Sequence, residues 1–85
     1  MWDIEYTKAA AKSLGTLPAN VRTTIQAKIE ALAVDPYAPN NNVKRLQGMQ
    51  DYRLRIGDWR VIYSLYNAAL IILVVRIASC GGVYQ

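Results

Sequence analysis

The stretch Tyr52-Arg53-Leu54-Arg55-Ile56-Gly57-Asp58-Trp59-Arg60-Val61-Ile62-Tyr63 decides the fold. Apolar and basic residues alternate on both sides of Gly57-Asp58, which is the period of a half-buried strand. Gly57-Asp58 reads as a two-residue hairpin turn. A loop of that length sets Ile56 opposite Trp59, Arg55 opposite Arg60 and Leu54 opposite Val61. One face then collects Tyr52, Leu54, Ile56, Trp59, Val61 and Tyr63, and is expected to be core. The other collects Arg53, Arg55 and Arg60. Like charges directly opposite on adjacent strands cost up to about 1 kcal/mol. An anion lying across Arg55 and Arg60 would relieve that repulsion, and the planar donor fork of Arg suits phosphate. Lys44 and Arg45, just upstream, extend the positive field and are expected to bind substrate. Five cations and two carboxylates stand between positions 44 and 60, so most of the net charge of +4 is concentrated there. The competing reading is that charges on the outer face of a half-buried sheet are simply solvated.

Outward from the hairpin, the pattern predicts further strands over 59–66 and 70–77, rich in β-branched and aromatic residues. Asn67-Ala68 reads as a second two-residue turn. Upstream, Trp2, Ile4 and Tyr6 alternate with Asp3 and Glu5, predicting an N-terminal strand. Thr7 is the expected N-cap of a short helix from Lys8 to about Leu14, ended by Gly15. Pro18 suits the first turn of a second helix over 18–34, whose Val21, Ile25, Ile29 and Leu32 form one apolar stripe. Asp35-Pro36 stops it, and residues 36–42 read as a loop. The predicted order is strand, antiparallel helical hairpin, then an antiparallel meander of three or four strands. The apolar helix stripe needs a sheet face to cover, so the class is α+β in two layers, a single domain over 1–85.

Composition narrows the chemistry. The 85 residues contain no His, which excludes a Ser-His-Asp triad and a His acid–base pair. One Cys excludes an internal disulfide and a Cys-rich zinc site, so no metal and no cofactor are expected. The start Met1-Trp2-Asp3-Ile4-Glu5 does not resemble a secretory signal. The apolar run over 68–75 is too short to span a bilayer, which needs roughly 20 residues in a helix. A cytoplasmic protein without membrane contact is therefore expected. Near the end, Tyr84 reads either as a tail residue on the core or as a phenol that stacks on a base or exchanges a proton. Cys80 has no His to activate it and reads first as an inert small residue.

The stretch from Arg45-Leu46-Gln47-Gly48-Met49 through Tyr63 resembles the RelE/ParE superfamily of type II toxin–antitoxin toxins. The pattern is L-x-G followed by Y-R-x-R-x-G-x-[YW]-R-[VLI]-x-Y. The likeness continues through Arg76-Ile77 to Val83-Tyr84 and covers nearly the whole chain, with the RelE-like branch favoured. The resemblance implies a toxin held by a cognate, acidic antitoxin that folds on binding. It further implies a ribosome-dependent mRNA endoribonuclease that needs no metal and inhibits translation. Catalytic roles then fall on Arg53, Arg55, Arg60 and Tyr84. The family commonly reads R-I-G-H-R-x-x-V-Y where this chain has Arg76-Ile77-Ala78-Ser79-Cys80-Gly81-Gly82-Val83-Tyr84, so Cys80 stands at the place of a catalytic Arg. Losing such a cation costs on the order of 10² to 10³ in rate, which leads to the expectation of an attenuated enzyme. Two alternatives stay open: a ParE-like inhibitor of DNA gyrase, and an inactive toxin that only binds its antitoxin. The toxin–antitoxin complex is expected to reach operator DNA through the antitoxin.

Overall fold

A computed structural model of the chain describes residues 1–46 and 51–79. Seven elements follow in order: β1 (Asp3–Tyr6), α1 (Lys8–Thr16), α2 (Ala19–Val34), β2 (Val43–Arg45), β3 (Asp51–Ile56), β4 (Trp59–Tyr66) and β5 (Ile71–Ser79). The strands form one sheet in the order β1-β5-β4-β3-β2. β1 runs parallel to β5, and every other pair is antiparallel. The expected α+β architecture therefore holds, with the N-terminal strand closing the far edge of the meander.

The two helices cover one face of this sheet. Ala10 and Leu14 of α1, Ile25, Ile29, Leu32 and Ala33 of α2, and Leu17 between the helices are buried there. The sheet meets them with Leu54, Val61, Tyr63, Ile72, Val74 and Ile77. Tyr52 stacks on Tyr63 with ring centroids 5.6 Å apart. The core face expected from the hairpin is thus the face observed.

The turns differ in detail. Gly15 lies inside α1, which runs to Thr16 and ends where Leu17 N–H donates to Leu14 O at 3.2 Å. Glycine is tolerated in a last turn, and burial of Leu14 and Leu17 on either side holds the helix there. The second hairpin turn is four residues, 67–70, rather than Asn67-Ala68. Leu70 sits at φ 54°, its N–H donates to Asn67 O, and its own carbonyl accepts from Asp3 N–H at 2.9 Å. Pairing to β1 fixes where β5 begins. β2 is a strand the pattern did not reveal, because three residues carry no readable period.

Candidate anion-binding site

The face of the sheet away from the helices carries the cations. Register places Arg55 directly opposite Arg60, and Arg53 opposite Ile62. Lys44 of β2 pairs with Arg53, and Arg76 of β5 pairs with Ile62. Two adjoining rows result: Arg55–Arg60–Ala78, and Lys44–Arg53–Ile62–Arg76. Strands lie about 4.8 Å apart, so Arg53 and Arg76 flank Ile62 at a Cα separation of about 10 Å. A phosphodiester backbone can be touched from both sides across that span.

The Arg55–Arg60 pair is the close kind. The Arg55 backbone N–H turns away from β4 and donates to Asn42 O at 2.8 Å. The pair is therefore not hydrogen-bonded, and such pairs bring their Cα atoms to about 4.5 Å. Arg55 Nε reaches the carbonyl of Gly57 at 3.5 Å, a long contact that leaves most of its donors free for a ligand. Arg55, Arg76 and Lys44 are exposed, while Arg53 and Arg60 are half-buried.

Asp58 stands in the turn beside the Arg55–Arg60 pair, and two further carboxylates share the next row beyond Arg53. Asp51 pairs with Ser64, Ser64 with Leu73, and Leu73 with Glu5, which makes a third row on the far side of the Arg53 row. The Ser64 hydroxyl donates to the Asp51 carboxylate. The face is thus positive on balance toward the Gly57 turn and negative toward the 67–70 turn. An anion is drawn to one end of it.

Arg76 is the residue that sequence reasoning missed as part of the site. Ile72, Val74 and Arg76 share one parity, so strict alternation would send Arg76 into the core with the other two. A β-bulge prevents this. The register shifts between Ile62 and Tyr63, where Tyr63 pairs with Val74 and Ile62 with Arg76, leaving Val75 as the extra residue. Val74 and Ile77 are both buried, three positions apart, and Arg76 between them is exposed. A signal was present: an Arg on the buried parity of an apolar run is intolerable in a regular strand.

The other expected residues divide. Arg53, Arg55, Arg60 and Lys44 come together. Arg45 pairs with Tyr52, whose ring packs on the core side, so alternation directs Arg45 away from Lys44. Cys80 and Tyr84 lie outside the described residues, as does the Gln47-Gly48-Met49 part of the motif. A hollow of about 230 Å³ at the sheet edge is lined by Asn41, Asn42, Lys44, Arg53 and Arg55. A larger groove of about 520 Å³ opens toward α2 and includes Lys28, Leu32, Asp35, Leu54 and Ile56. Of the cation set, only Arg55 borders it. Among the described residues, no three His, Cys, Asp or Glu side chains gather as a metal-holding group. No helix among them is long and apolar enough to cross a membrane.

A five-stranded sheet with a helical hairpin on one face and clustered cations on the other defines a small α+β module. The family model described as the ParE toxin of the type II toxin–antitoxin system parDE matches residues 4–84. The RelE1 protein of Methanocaldococcus jannaschii is 31% identical over 86 residues, covering 99% of this chain and 96% of that protein. The crystal structure of the archaeal RelE–RelB complex from Pyrococcus horikoshii matches with a TM-score of 0.81 at 26% identity, over 94% of this chain and 96% of that one. The intact E. coli RelBE complex matches with a TM-score of 0.81 at 18% identity, over 93% and 96%, a likeness of fold. The chain belongs to the ParE toxin family of type II toxin–antitoxin systems, within the RelE/ParE superfamily, and is RelE-like.

Proposed function

We propose that this toxin is a metal-independent endoribonuclease that cuts mRNA on the ribosome and so inhibits translation. One observation carries the reading: Arg53, Arg55, Arg60 and Arg76 share two adjoining rows of one face. In the reaction, the ribose 2′-hydroxyl gives up its proton and attacks the adjacent phosphorus, the bond to the 5′-oxygen of the next nucleotide breaks as that oxygen takes up a proton from water, and a 2′,3′-cyclic phosphate and a free 5′-hydroxyl form. Charge builds on the phosphorane oxygens, and fixed guanidinium groups stabilise it more than they stabilise the ground state. Arginine stays protonated and cannot serve as the base. That role falls to Tyr84, with Lys44 holding the strand beside the cut.

The partner is an acidic antitoxin. The solved relatives from P. horikoshii and E. coli are complexes of RelE with RelB. An acidic segment laid over the Arg rows would neutralise them and exclude RNA. Binding of operator DNA would run through that antitoxin, and the toxin would act among ribosomes in the cytoplasm. Because Cys80 stands where the family commonly has Arg, Cys80→Arg should raise both toxicity and cleavage.

Primer extension on mRNA from cells expressing the chain tests the reading. Cuts inside translated codons support it. The family description names ParE, which makes gyrase inhibition the second reading. DNA damage with intact mRNA would select that one, and antitoxin binding with neither effect would leave a binding-only toxin.

A further inference from the structure

The bulge that exports Arg76 is held from outside its own hairpin. Thr7, between β1 and α1, makes four bonds, one of them the ordinary first helical bond in which its carbonyl accepts Ala11 N–H at 2.9 Å. Its N–H donates to Val74 O at 3.0 Å. Its hydroxyl donates to Val75 O at 2.7 Å, 68 positions away in sequence. The same oxygen accepts the N–H of Ala10 at 3.1 Å and so caps α1. Val75 is the extra residue of the bulge, so its carbonyl has no place in the regular β4–β5 ladder. A half-buried carbonyl without a partner is costly, and the Thr7 hydroxyl supplies the partner.

We propose that Thr7 is a positioning residue for the anion site: its hydroxyl locks the Val75 bulge and thereby turns Arg76 out of the core and onto the face carrying Arg53 and Arg60. This deepens the proposed RNA cleavage and rests on it for its kinetic consequence. The placement of Arg76 itself is read independently. Ordinary N-capping uses Thr7 only as an acceptor. The clamp uses it as a donor, and that difference separates the two roles.

Three variants of the full chain make the test. Thr7→Ser keeps donor and acceptor. Thr7→Asp keeps the capping acceptor but has no proton to give Val75 O. Thr7→Val keeps the shape and loses both. Inorganic phosphate is titrated into each free toxin while the Arg76 Nε–H resonance is followed, and cleavage is measured on programmed ribosomes. The wild type and Thr7→Ser should show a phosphate-dependent Arg76 shift and full turnover. Thr7→Asp should melt close to the wild type, lose the Arg76 response, and fall about tenfold in kcat with little change in half-saturating concentration. If Thr7→Asp and Thr7→Val keep both the Arg76 response and turnover per folded molecule, Thr7 is only a cap and the proposal is overturned. If the Arg76 response is lost as expected while Arg76→Gln cleaves normally, the positioning role stands and the catalytic use of Arg76 fails.

Discussion

Neutralising one member of the Arg55–Arg60 pair should stabilise the free toxin, and the size of the effect follows from the register. The two residues are directly opposite in a close, non-hydrogen-bonded pair, which lets their guanidinium groups approach to about 7 Å. At that separation two like charges repel by about 0.6 kcal/mol in water-like dielectric. The Debye length is about 30 Å at 0.01 M salt and about 3 Å at 1 M, so most of the repulsion survives in dilute buffer and almost none in concentrated salt. Arg60→Gln should therefore raise Tm by about 2–4 °C at low salt, given roughly 4–8 °C per kcal/mol for a domain of this size. A double-mutant cycle with Arg55→Gln isolates the pair from general charge effects. Followed by circular dichroism, the cycle should give a repulsive coupling of about 0.5 kcal/mol in 10 mM salt that vanishes in 1 M NaCl. Millimolar inorganic phosphate should stabilise the wild type more than either single variant. A coupling that is zero or attractive at low salt, or unchanged by salt, would refute the claim that the site holds uncompensated charge.

Three further outcomes follow from the same geometry. Arg53→Gln should lower cleavage on programmed ribosomes by about 10² to 10³ while the variant keeps its fold, read as kcat beside a thermal melt. Leu70→Asn should raise stability to urea by about 0.5–1 kcal/mol, because exposed Leu70 is held at φ 54°, where a branched apolar side chain is strained and Asn is not. Burial, and then neighbouring Tyr52, push the Tyr63 phenol up to about 12 from an ordinary value near 10. The folded state favours the neutral phenol, so its contribution is intact below pH 10 and is lost as pH climbs toward 12, by up to about 2–3 kcal/mol. Tyr63→Phe should flatten that alkaline decline. It should cost little at neutral pH, since the Tyr63 hydroxyl has no hydrogen-bond partner among the described residues.

The β3–β4 hairpin was legible because a two-residue turn fixes register, and register fixes faces. Arg53, Arg55 and Arg60 followed directly from it. Lys44 and Arg45 looked equivalent in sequence, but alternation across β2 separates them. Arg76 was hidden in the apolar run over 70–77, where strict alternation places it in the core with Ile72 and Val74. Its exposure depends on a bulge whose lock, Thr7, comes from the other end of the chain. Thr7 itself was legible as a cap, because capping is local; its bond to Val75 was not, because no short-range rule pairs positions 68 apart. The parallel pairing of β1 with β5 was hidden for the same reason.

The central claim, that the Arg face acts on RNA, is tested most directly with the purified toxin added to a reconstituted translation reaction and to naked mRNA in parallel. The account predicts fragments ending in a 2′,3′-cyclic phosphate at the codon in the ribosomal A site. It predicts no comparable cutting of naked mRNA, and loss of the fragments in Arg53→Gln. Intact mRNA on the ribosome, together with inhibition of DNA supercoiling by purified gyrase, would contradict it.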